Sequence, residues 1–195
     1  MSFLSDEEVA ALGLGHVGKQ VRISRLASLH NPANIRIGDH SRIDDFCVLS
    51  AGGGGIEIGR NVHIAVFCSL IGKGRISLGD FAGLSSRVAV YSSNDDYSGA
   101  CLTGPTVPAA YSNITSAPVV LGRHVIIGSG SVVLPGVTVG EGAAIGALSL
   151  LRADCDAFGI YVGAPARKVR ERARDLLDKE QAYLQDELAS AASSP

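Results

Sequence analysis

The sequence predicts an all-β fold: a left-handed parallel β-helix of about five coils, with a long loop leaving coil 3, a short N-terminal helix and a C-terminal α-helix. Two observations predict it. An aliphatic residue recurs at every sixth position in five groups of three, and 24 of the 195 residues are Gly while only 18% are charged. A spacing of six fits neither an amphipathic helix nor a simple alternating strand, whereas a three-sided coil needs one short strand and one corner per hexapeptide.

The repeated aliphatic residue is expected to point into the core from every strand. Its fifteen positions are Ile37, Ile43, Leu49, Ile58, Ile64, Leu70, Leu78, Leu84, Val90, Leu121, Ile127, Val133, Val139, Ile145 and Leu151. Four places later the residue is small in twelve of the fifteen cases, and it is expected to point inward beside a corner. Gly follows the aliphatic residue seven times, where it is expected to allow the tight bend.

Three faces per coil give 18 residues, so the repeat divides into five coils with extra residues only at coil ends. The coils are 37–54, 58–75, 78–95, 121–138 and 139–156, and the extra residues are 55–57, 76–77 and 96–120. Inward positions of neighbouring coils then stack about 4.8 Å apart. Cys47 and Cys68 fall in one such column, which makes them small core residues rather than redox or metal groups.

The two ends of the column need caps, because each exposes unpaired strand edges. We therefore expect three parts: an N-terminal helical cap over 1–20, the β-helix over 21–165 with its loop at 94–118, and a C-terminal helix and tail over 166–195. Ser5 and Glu8 fit a capping box at the start of the first helix. Pro165 is expected to precede a helix over about 167–188 with one apolar stripe, followed by a frayed tail at 189–195.

Composition excludes several classes of function. A formal charge of −2 and a pI near 6.2 argue against a nucleic-acid partner. No stretch of 18 apolar residues exists, so no membrane insertion is expected, and the acidic start does not resemble a signal peptide. The four cysteines lack metal-finger spacing and no two histidines lie five apart, so no metal is expected. A reduced, cytoplasmic protein is the simplest interpretation.

Several segments carry a resemblance to a known family. They are Phe3–Glu8, Arg42–Cys47, Asn61–Ala65, Asp80–Arg87, Asp95–Gly99, His124–Gly128 and Gly163–Lys168. With them the chain resembles the hexapeptide-repeat acyltransferases that use acyl-CoA, and most of all the branch that N-acylates nucleotide-linked 4-amino-4,6-dideoxy sugars in the anthrose and viosamine pathways. The resemblance implies transfer from acetyl-CoA or another acyl-CoA to such a sugar's amine in surface-polysaccharide (lipopolysaccharide O-antigen) biosynthesis. It also implies a homotrimer with active sites between subunits.

The loop region favours N-acylation over O-acylation. Related sugar O-acetyltransferases use a His there as general base, because a hydroxyl is a poor nucleophile. The matching stretch here, 91–97, contains no His but has Asp95 and Asp96. An amine is partly neutral near pH 7, so a carboxylate needs only to orient it while the departing sulfur or a water takes the proton. The alternative is that one of these carboxylates simply caps a turn.

The resemblance also implies positions for both substrates. The acceptor is expected near His63, Ser85, Ser86, Arg87 and Tyr97; because strand neighbours point to opposite sides, only one of the two serines is expected to face the groove. The donor is expected along the corners that carry the small residues Gly128, Ser129, Gly146 and Ala147, with Arg167 and Lys168 near the CoA phosphates. The small residues could equally serve tight turning alone, and the basic pair could be solvated helix residues.

Two other functions remain open from the sequence. One is a sugar O-acetyltransferase acting on a free or lipid-linked sugar. The other is a non-catalytic β-helix scaffold, which the long uncharged segment at 97–118 disfavours, since such loops in compact proteins are usually functional. Acetyl and longer acyl groups, the nucleotide base and the configuration at the sugar's C4 are not distinguished by these residues.

Overall fold

The computed structural model describes residues 2–192, which form short strands wound into a column with a helix at each end. Two α-helices, α1 (Asp6–Ala11) and α2 (Leu176–Ala192), and two 3-10 turns, Pro32–Asn34 and Ala109–Tyr111, accompany the strands. The strands are β1 (His16–Val17), β2 (Arg22–Ile23), β3 (Ser28–His30), β4 (Ile35–Ile37), β5 (Arg42–Ile43), β6 (Val48–Ala51), β7 (Ile56–Ile58), β8 (His63–Ile64), β9 (Ser69–Gly72), β10 (Ile76–Leu78), β11 (Gly83–Leu84), β12 (Ala89–Tyr91), β13 (Ser93–Asn94), β14 (Thr115–Ser116), β15 (Val119–Leu121), β16 (Ile126–Ile127), β17 (Val132–Val133), β18 (Thr138–Val139), β19 (Ala144–Ile145), β20 (Leu150–Leu151), β21 (Gly159–Val162) and β22 (Arg167–Glu171).

Three parallel sheets form the faces of the column, which confirms the left-handed β-helix. The first face is β1-β4-β7-β10-β15-β18, the second is β2-β5-β8-β11-β16-β19-β21, and the third is β3-β6-β9-β12-β17-β20. Each strand therefore pairs with the strand of the same face one coil away, and the chain passes from the first to the second to the third face in every coil. Side chains at equivalent positions form columns along the prism.

The number of coils differs from the prediction. Six complete coils are present, with a seventh begun at Cys155 and β21, rather than about five. The additional first coil, β1 to β3, keeps the spacing of six at Val17, Ile23 and Leu29. The 3-10 turn at Pro32–Asn34 then shifts the phase before Ile37, so this coil falls out of step with the others. Consequently the long loop leaves the fourth coil of the structure, after β12.

The core follows the repeat. All fifteen predicted aliphatic residues are buried, and so are the twelve small residues four places later. Those small residues are Ser41, Cys47, Val62, Cys68, Ala82, Val88, Val125, Ser131, Val137, Ala143, Ser149 and Cys155. Because burial of apolar surface contributes about 25 cal/mol per Å², the repeated aliphatic column is the main source of stability.

The glycines after the aliphatic residues have a different reason from the one expected. None of those seven has a positive φ; the left-handed residues lie two places further on, as at His40, Asn61 and Phe81. A Cβ on Gly59 or Gly79 would lie within 3 Å of the backbone of the next coil. These glycines are therefore required by the close approach of stacked coils, not by the bend.

The N-terminal cap matches the sequence. Ser5 accepts a hydrogen bond from the Glu8 amide, and the Glu8 carboxylate accepts one from the Ser5 amide, which completes the capping box of α1. The Arg25 side chain also bonds Glu8, and this hydrogen bond is the main reason that the pKa of Glu8 falls to about 2. The helix thus remains tied to the first coil over a wide pH range.

The C-terminal segment departs from the prediction. Arg167–Glu171 forms β22, which pairs antiparallel with β21, and the helix begins at Leu176 rather than near residue 167. The cause is the free edge of β21, whose unpaired backbone groups a following segment can satisfy. Pro165 lies in the turn between the two strands. Residues 189–192 continue α2, and the rest of the predicted tail, 193–195, lies outside the described residues. The division of the chain at 1–20, 21–165 and 166–195 stays a prediction.

The three corners of the prism carry different structures. Helix α2 lies along the corner between the first and second faces, which we call the helix corner; it contacts residues such as Arg60, Phe81 and His124 there. The long loop leaves the corner between the third and first faces. The corner between the second and third faces, which we call the groove corner, is left uncovered by both elements within this chain.

Candidate active site

A groove of about 350 Å³ opens at the groove corner. It is lined by His63, Ala65, Gly83, Leu84, Ser85, Ser86, Ile126 and Ser129. The groove corner also carries, one coil from the next, the residues that directly follow strands β5, β8, β11, β16 and β19 of the second face. Their backbone amides donate to the neighbouring coil, as in Ser85 N to Ile127 O at 2.9 Å. The wall of the groove is therefore fixed by the β-helix itself.

Both predicted serines line this groove, and which of the two hydroxyls faces it stays a prediction. Ser85 and Ser86 follow β11 and enter the turn of the corner, so the alternation of a strand no longer applies to them. The Cys68 thiol donates to the Ser85 carbonyl at 3.0 Å. The backbone that carries the two serines is thus held to the neighbouring coil.

His63 belongs to the same groove and is held by a residue that the sequence analysis did not identify. Its Nε2 atom lies 2.9 Å from Oδ2 of Asp44, whose Oδ1 accepts from Arg42 Nε at 2.6 Å. Asp44 is buried, whereas about half of the His63 side chain is exposed. Burial alone would raise the pKa of the Asp44 carboxyl, but the hydrogen bonds from Arg42 and His63 outweigh it and lower the pKa. The carboxyl is therefore ionised at neutral pH.

The register between β5 and β8 places Asp44 at the groove corner. Arg42 and His63 occupy the same position in successive strands β5 and β8, 21 residues apart. Asp44 directly follows β5 as Ser85 directly follows β11, so it lies in the column of a predicted site residue. One coil of 18 residues plus the three inserted residues 55–57 gives this separation of 21, so the repeat predicts the alignment.

The predicted donor residues continue along the same corner. Gly128 and Ser129 follow β16, and Gly146 and Ala147 follow β19, so each pair lies one coil beyond the last. A Cβ on Gly128 would lie 2.5 Å from the Ala147 amide nitrogen. Gly128 is therefore needed for stacking of the coils as well as leaving the corner open.

The predicted basic pair lies on β22 rather than on a helix. Arg167 is exposed and pairs with Val162, which lies one coil beyond Gly146 along the groove corner. The Lys168 ammonium lies 2.7 Å from Glu171 and 3.4 Å from Asp156, and the hydrogen bond to Glu171 is the main reason that its pKa is raised. The end of the groove corner thus presents the guanidinium of Arg167 to solvent.

The two loop carboxylates lie at another corner of the same chain. The Asp96 carboxylate accepts from Ser98 N, Ser98 Oγ and Cys101 N, and the backbone hydrogen bond to Ser98 is the main reason that its pKa is lowered. Asp95 accepts from Gly104 N through Oδ1 at 3.1 Å. Both residues follow β13, whose pairing with β14 closes the base of the loop. Within one chain, neither lines the groove that holds Ser85.

The remaining predicted acceptor residues are solvent-facing. Arg87 is on the groove corner, with its guanidinium carbon 5.5 Å from the ring centre of Phe67. Tyr97 is almost fully exposed at the start of the loop. Within residues 2–192, no group of three or more His, Cys, Asp and Glu side chains is arranged to hold a metal ion. No helix in this same range is long and apolar enough to span a membrane.

A three-faced β-helix with a groove at one corner defines a class of protein. Residues 118–153 match the family model described as bacterial transferase hexapeptide (six repeats). The dTDP-4-amino-4,6-dideoxy-D-glucose acyltransferase of Escherichia coli is 50% identical over 183 residues, covering 94% of this chain and 95% of that enzyme. The chain belongs to the family of hexapeptide-repeat acyltransferases that includes this enzyme, and it is an acyl-CoA-dependent acyltransferase.

Solved structures show the same fold over almost the whole chain. AntD, an N-acyltransferase from Bacillus cereus in complex with dTDP and 3-hydroxybutyryl-CoA, superposes with a TM-score of 0.91 at 45% identity, covering 95% of this chain and 97% of AntD. A variant of AntD with one serine replaced by alanine, in complex with dTDP-4-amino-4,6-dideoxyglucose and coenzyme A, gives the same TM-score at 44% identity, covering 95% and 98%.

Proposed function

We propose that this chain transfers an acyl group from acyl-CoA, with acetyl-CoA as the first candidate, to the amine of a nucleotide-linked 4-amino-4,6-dideoxyhexose. The observation that carries this proposal is the 50% sequence identity, over nearly the full length, to an acyltransferase named for such a substrate. The complexes of AntD with an acyl-CoA and with a dTDP-linked amino sugar support the same pair of substrates. We place the reaction in the cytoplasm, within surface-polysaccharide biosynthesis.

The groove corner supports a donor path. From Ser85 to Val162 the corner advances three coils, or about 14 Å at about 4.8 Å per coil. Side chains along it are small at Gly128, Ser129, Gly146 and Ala147, so a flexible pantetheine arm can lie against the backbone. We assign Arg167 to the CoA phosphates, since an exposed guanidinium at the end of this path suits a phosphate, with Lys168 beside it.

The acceptor site needs a second subunit. Ser85 and His63 line the groove, whereas Asp95 and Asp96 lie at a different corner of the same chain. A homotrimer in which the loop of one subunit reaches the groove of the next brings the two sets together. In this arrangement Asp95 aligns the amine, Asp96 holds the loop in shape, and Ser85, Ser86, Arg87 and Tyr97 contact the sugar nucleotide.

The chemistry follows from the groups available. The neutral amine attacks the thioester carbonyl, the tetrahedral intermediate collapses, and the amide and the free thiol of CoA are released. Asp95 contributes orientation rather than strong basicity, because an ordinary Asp with a pKa of about 3.9 is a weak base. The proton lost by the amine ends on the sulfur.

The assay follows release of free thiol from acetyl-CoA with dTDP-4-amino-4,6-dideoxyglucose, and with a simple galactoside as the acceptor expected of an O-acetyltransferase. We expect thiol release with the amino sugar and none with the galactoside. Absence of release with every amino sugar and acyl-CoA tried would overturn the proposal. Release with the galactoside alone would favour the O-acetyltransferase.

Asp95→Asn tests the shared site. We expect a fall in kcat of at least about tenfold, since orientation of the amine is lost, whereas Asp178→Asn, an exposed acid on α2, should leave the rate unchanged. Mixed trimers of Asp95→Asn and Ser85→Ala subunits should regain activity, because some grooves then meet an intact loop. If mixing restores nothing, the site is not shared between subunits.

A further inference from the structure

Gly83 lies in the wall of the groove at a position where the β-helix does not require a glycine. It is the outward-facing residue of β11, its φ is not positive, and its backbone pairs in regular register with His63 and Ile126 of the adjacent coils. A Cβ built on it would have no atom within 4 Å, apart from those of its neighbours in the chain. Neither the backbone conformation nor the stacking of coils therefore explains the missing side chain.

The other two glycines within the described strands do have a structural reason. A Cβ on Gly72 would lie 2.8 Å from the Ser92 amide nitrogen, and one on Gly159 would lie 2.5 Å from the Tyr161 ring. Glycine weakens the interior of a strand, and where it persists it often marks a place that a ligand or another backbone approaches closely. No backbone among the described residues comes within 4 Å of the open side of Gly83. A ligand or another subunit is therefore the group that needs this space.

The missing side chain leaves a gap between two larger residues, which we call the glycine notch: Gly83 at its base, His63 one coil before it and Ile126 one coil after it. The two flanking strands are about 10 Å apart, since neighbouring strands are spaced by about 4.8 Å. Both flanking side chains are exposed, so both stand above the base of the notch. The notch therefore has room for a small group, and the side formed by Ile126 is apolar.

The notch adjoins the end of the proposed donor path. Ser85, where that path ends, is two residues beyond Gly83, or about 7 Å along the strand. Ile126 precedes Gly128 and Ser129 in the coil that carries the next part of the path. A thioester held at Ser85 can therefore direct its carbon chain into the notch. Gly83 and Ile126 suit such a chain better than a diphosphate or a sugar ring, because neither offers a charge or a side-chain hydrogen bond.

We propose that the glycine notch holds the acyl chain of the donor and that the absence of a side chain at Gly83 sets the size of the acyl group that is transferred. This inference rests on the proposed function and deepens it, because it extends the donor class from acetyl-CoA to short-chain acyl-CoAs. Gly83 is then a specificity-determining residue that makes no bond in the reaction. The acyl group still passes from the sulfur of CoA to the nitrogen of the amino sugar, whatever its length.

A side chain at position 83 should fill the notch and leave the fold intact. Valine is favoured in strands and glycine is not, and a Cβ on Gly83 meets no atom within 4 Å. Gly83→Val and Gly83→Ala should therefore keep or raise the melting temperature. This measurement separates a glycine kept for a ligand from a glycine that the structure needs, because replacement of the second kind lowers the melting temperature.

The experiment compares acetyl-CoA, propionyl-CoA and butyryl-CoA as donors to dTDP-4-amino-4,6-dideoxyglucose, with release of free thiol as the measurement. The unaltered enzyme should use butyryl-CoA with a kcat/KM within about tenfold of that for acetyl-CoA. Gly83→Val should lower kcat/KM for butyryl-CoA by at least about tenfold more than for acetyl-CoA, since one methylene in an apolar pocket changes this ratio about 10- to 200-fold. Gly83→Ala should have the same effect to a smaller degree, and KM for the amino sugar should stay within about twofold.

The matched control is Ser77→Val, which places the same side chain at the outward position of β10 on the first face. It should leave the relative rates with the three donors unchanged. The proposal is overturned if Gly83→Val slows all three donors equally, or if both Gly83 variants lower the melting temperature. A rise in KM for the amino sugar alone would place the acceptor at the notch, and a changed oligomeric state would place a partner subunit there.

Refusal of propionyl-CoA and butyryl-CoA by an unaltered enzyme that uses acetyl-CoA also overturns the proposal and leaves the proposed function intact. If the unaltered enzyme releases no thiol with any of the three donors and any amino sugar, the proposed function itself has failed. The donor series on the unaltered enzyme therefore distinguishes the two failures before any variant is made.

Discussion

The groove corner and the helix corner share one backbone path and differ in their side chains. Directly after the strands, both corners carry small residues in most coils: Ala65, Ser85, Gly128 and Gly146 at the groove corner, and Gly38, Gly59, Gly79, Gly122 and Gly140 at the helix corner. In both places the coil then turns through a left-handed residue, and these residues differ in what their side chains contact. At the helix corner His40, Asn61 and His124 bond side chains of α2. At the groove corner Phe46 and Phe67 stack on each other and Arg87 lies over Phe67. The chemistry of the side chain at the left-handed position, not its size, therefore distinguishes the corner that binds the chain's own helix from the corner that stays open.

Helix α2 is bound to the helix corner mainly by polar contacts and not by a buried apolar interface. Glu180 of α2 lies 2.5 Å from Arg123 and 2.8 Å from His124. Glu187 likewise bonds Arg60 and His40. Tyr183 packs edge-on against Phe81 with ring centres 6.0 Å apart. Such contacts depend on ionisation, whereas the buried columns beneath both corners do not.

The largest effect should come from the core that both corners share. Leu70→Ala removes a fully buried side chain between coils, so the free energy of unfolding should fall by about 2–5 kcal/mol. The same change at Leu188, an exposed residue of α2, should cost at most about 0.5 kcal/mol. Chemical denaturation measures both. Equal losses at the two sites would mean that α2 is as firmly packed as the stacked coils.

Filling the groove corner with a large side chain should block ligand binding there without unfolding the protein. Ser129→Phe places a large ring on an exposed position of the groove wall. We expect KM for acyl-CoA to rise at least tenfold, equivalent to about 1.4 kcal/mol, with the melting temperature unchanged. Ser28→Phe, on an exposed serine of β3, is the control. Unchanged KM for Ser129→Phe would remove this corner from the donor path.

The smallest effect should come from releasing the helix. Glu180→Gln weakens the bonds to Arg123 and His124 and should cost about 1 kcal/mol, because the Arg123 side chain is half exposed and its pairing is screened by solvent. Thermal unfolding at neutral pH measures the loss, and Asp178→Asn on the same helix is the control.

The same variant should show a defined pH dependence. Burial raises the pKa of Glu180, but hydrogen bonds from His124 and Arg123 outweigh it, so the pKa in the folded protein lies below its ordinary value. A lowered pKa means that the stabilisation is complete above the ordinary value of about 4.3 and is lost as pH falls through the folded value. The difference in melting temperature between the unaltered protein and Glu180→Gln should therefore shrink below about pH 4. A constant difference at all pH values would contradict the assignment of charge to Glu180.

Much of the site was within reach of the sequence, because each corner residue follows directly from the phase of the repeat. Ser85, Ser86, Ser129 and His63 were identified and do line one groove. Asp44 was not, since its partner lies 19 residues away and the contact depends on counting the insertion between two coils. Asp95 and Asp96 were identified by type, but the loop between 97 and 114 has no repeat that would set its position.

The sequence by itself determined how the chain winds and which aliphatic residues form the buried column. Burial of one aliphatic residue in six imposes a period that is visible in the sequence. Tertiary structure alone decided the C-terminal end and the contacts between corner residues of different coils. Strand β22 is exposed along its whole length and has no apolar alternation, so only the free edge of β21 explains it. The link from Asp44 to His63 and the separation of Asp95 from Ser85 arise in the same way, because they depend on which residues of different coils become neighbours.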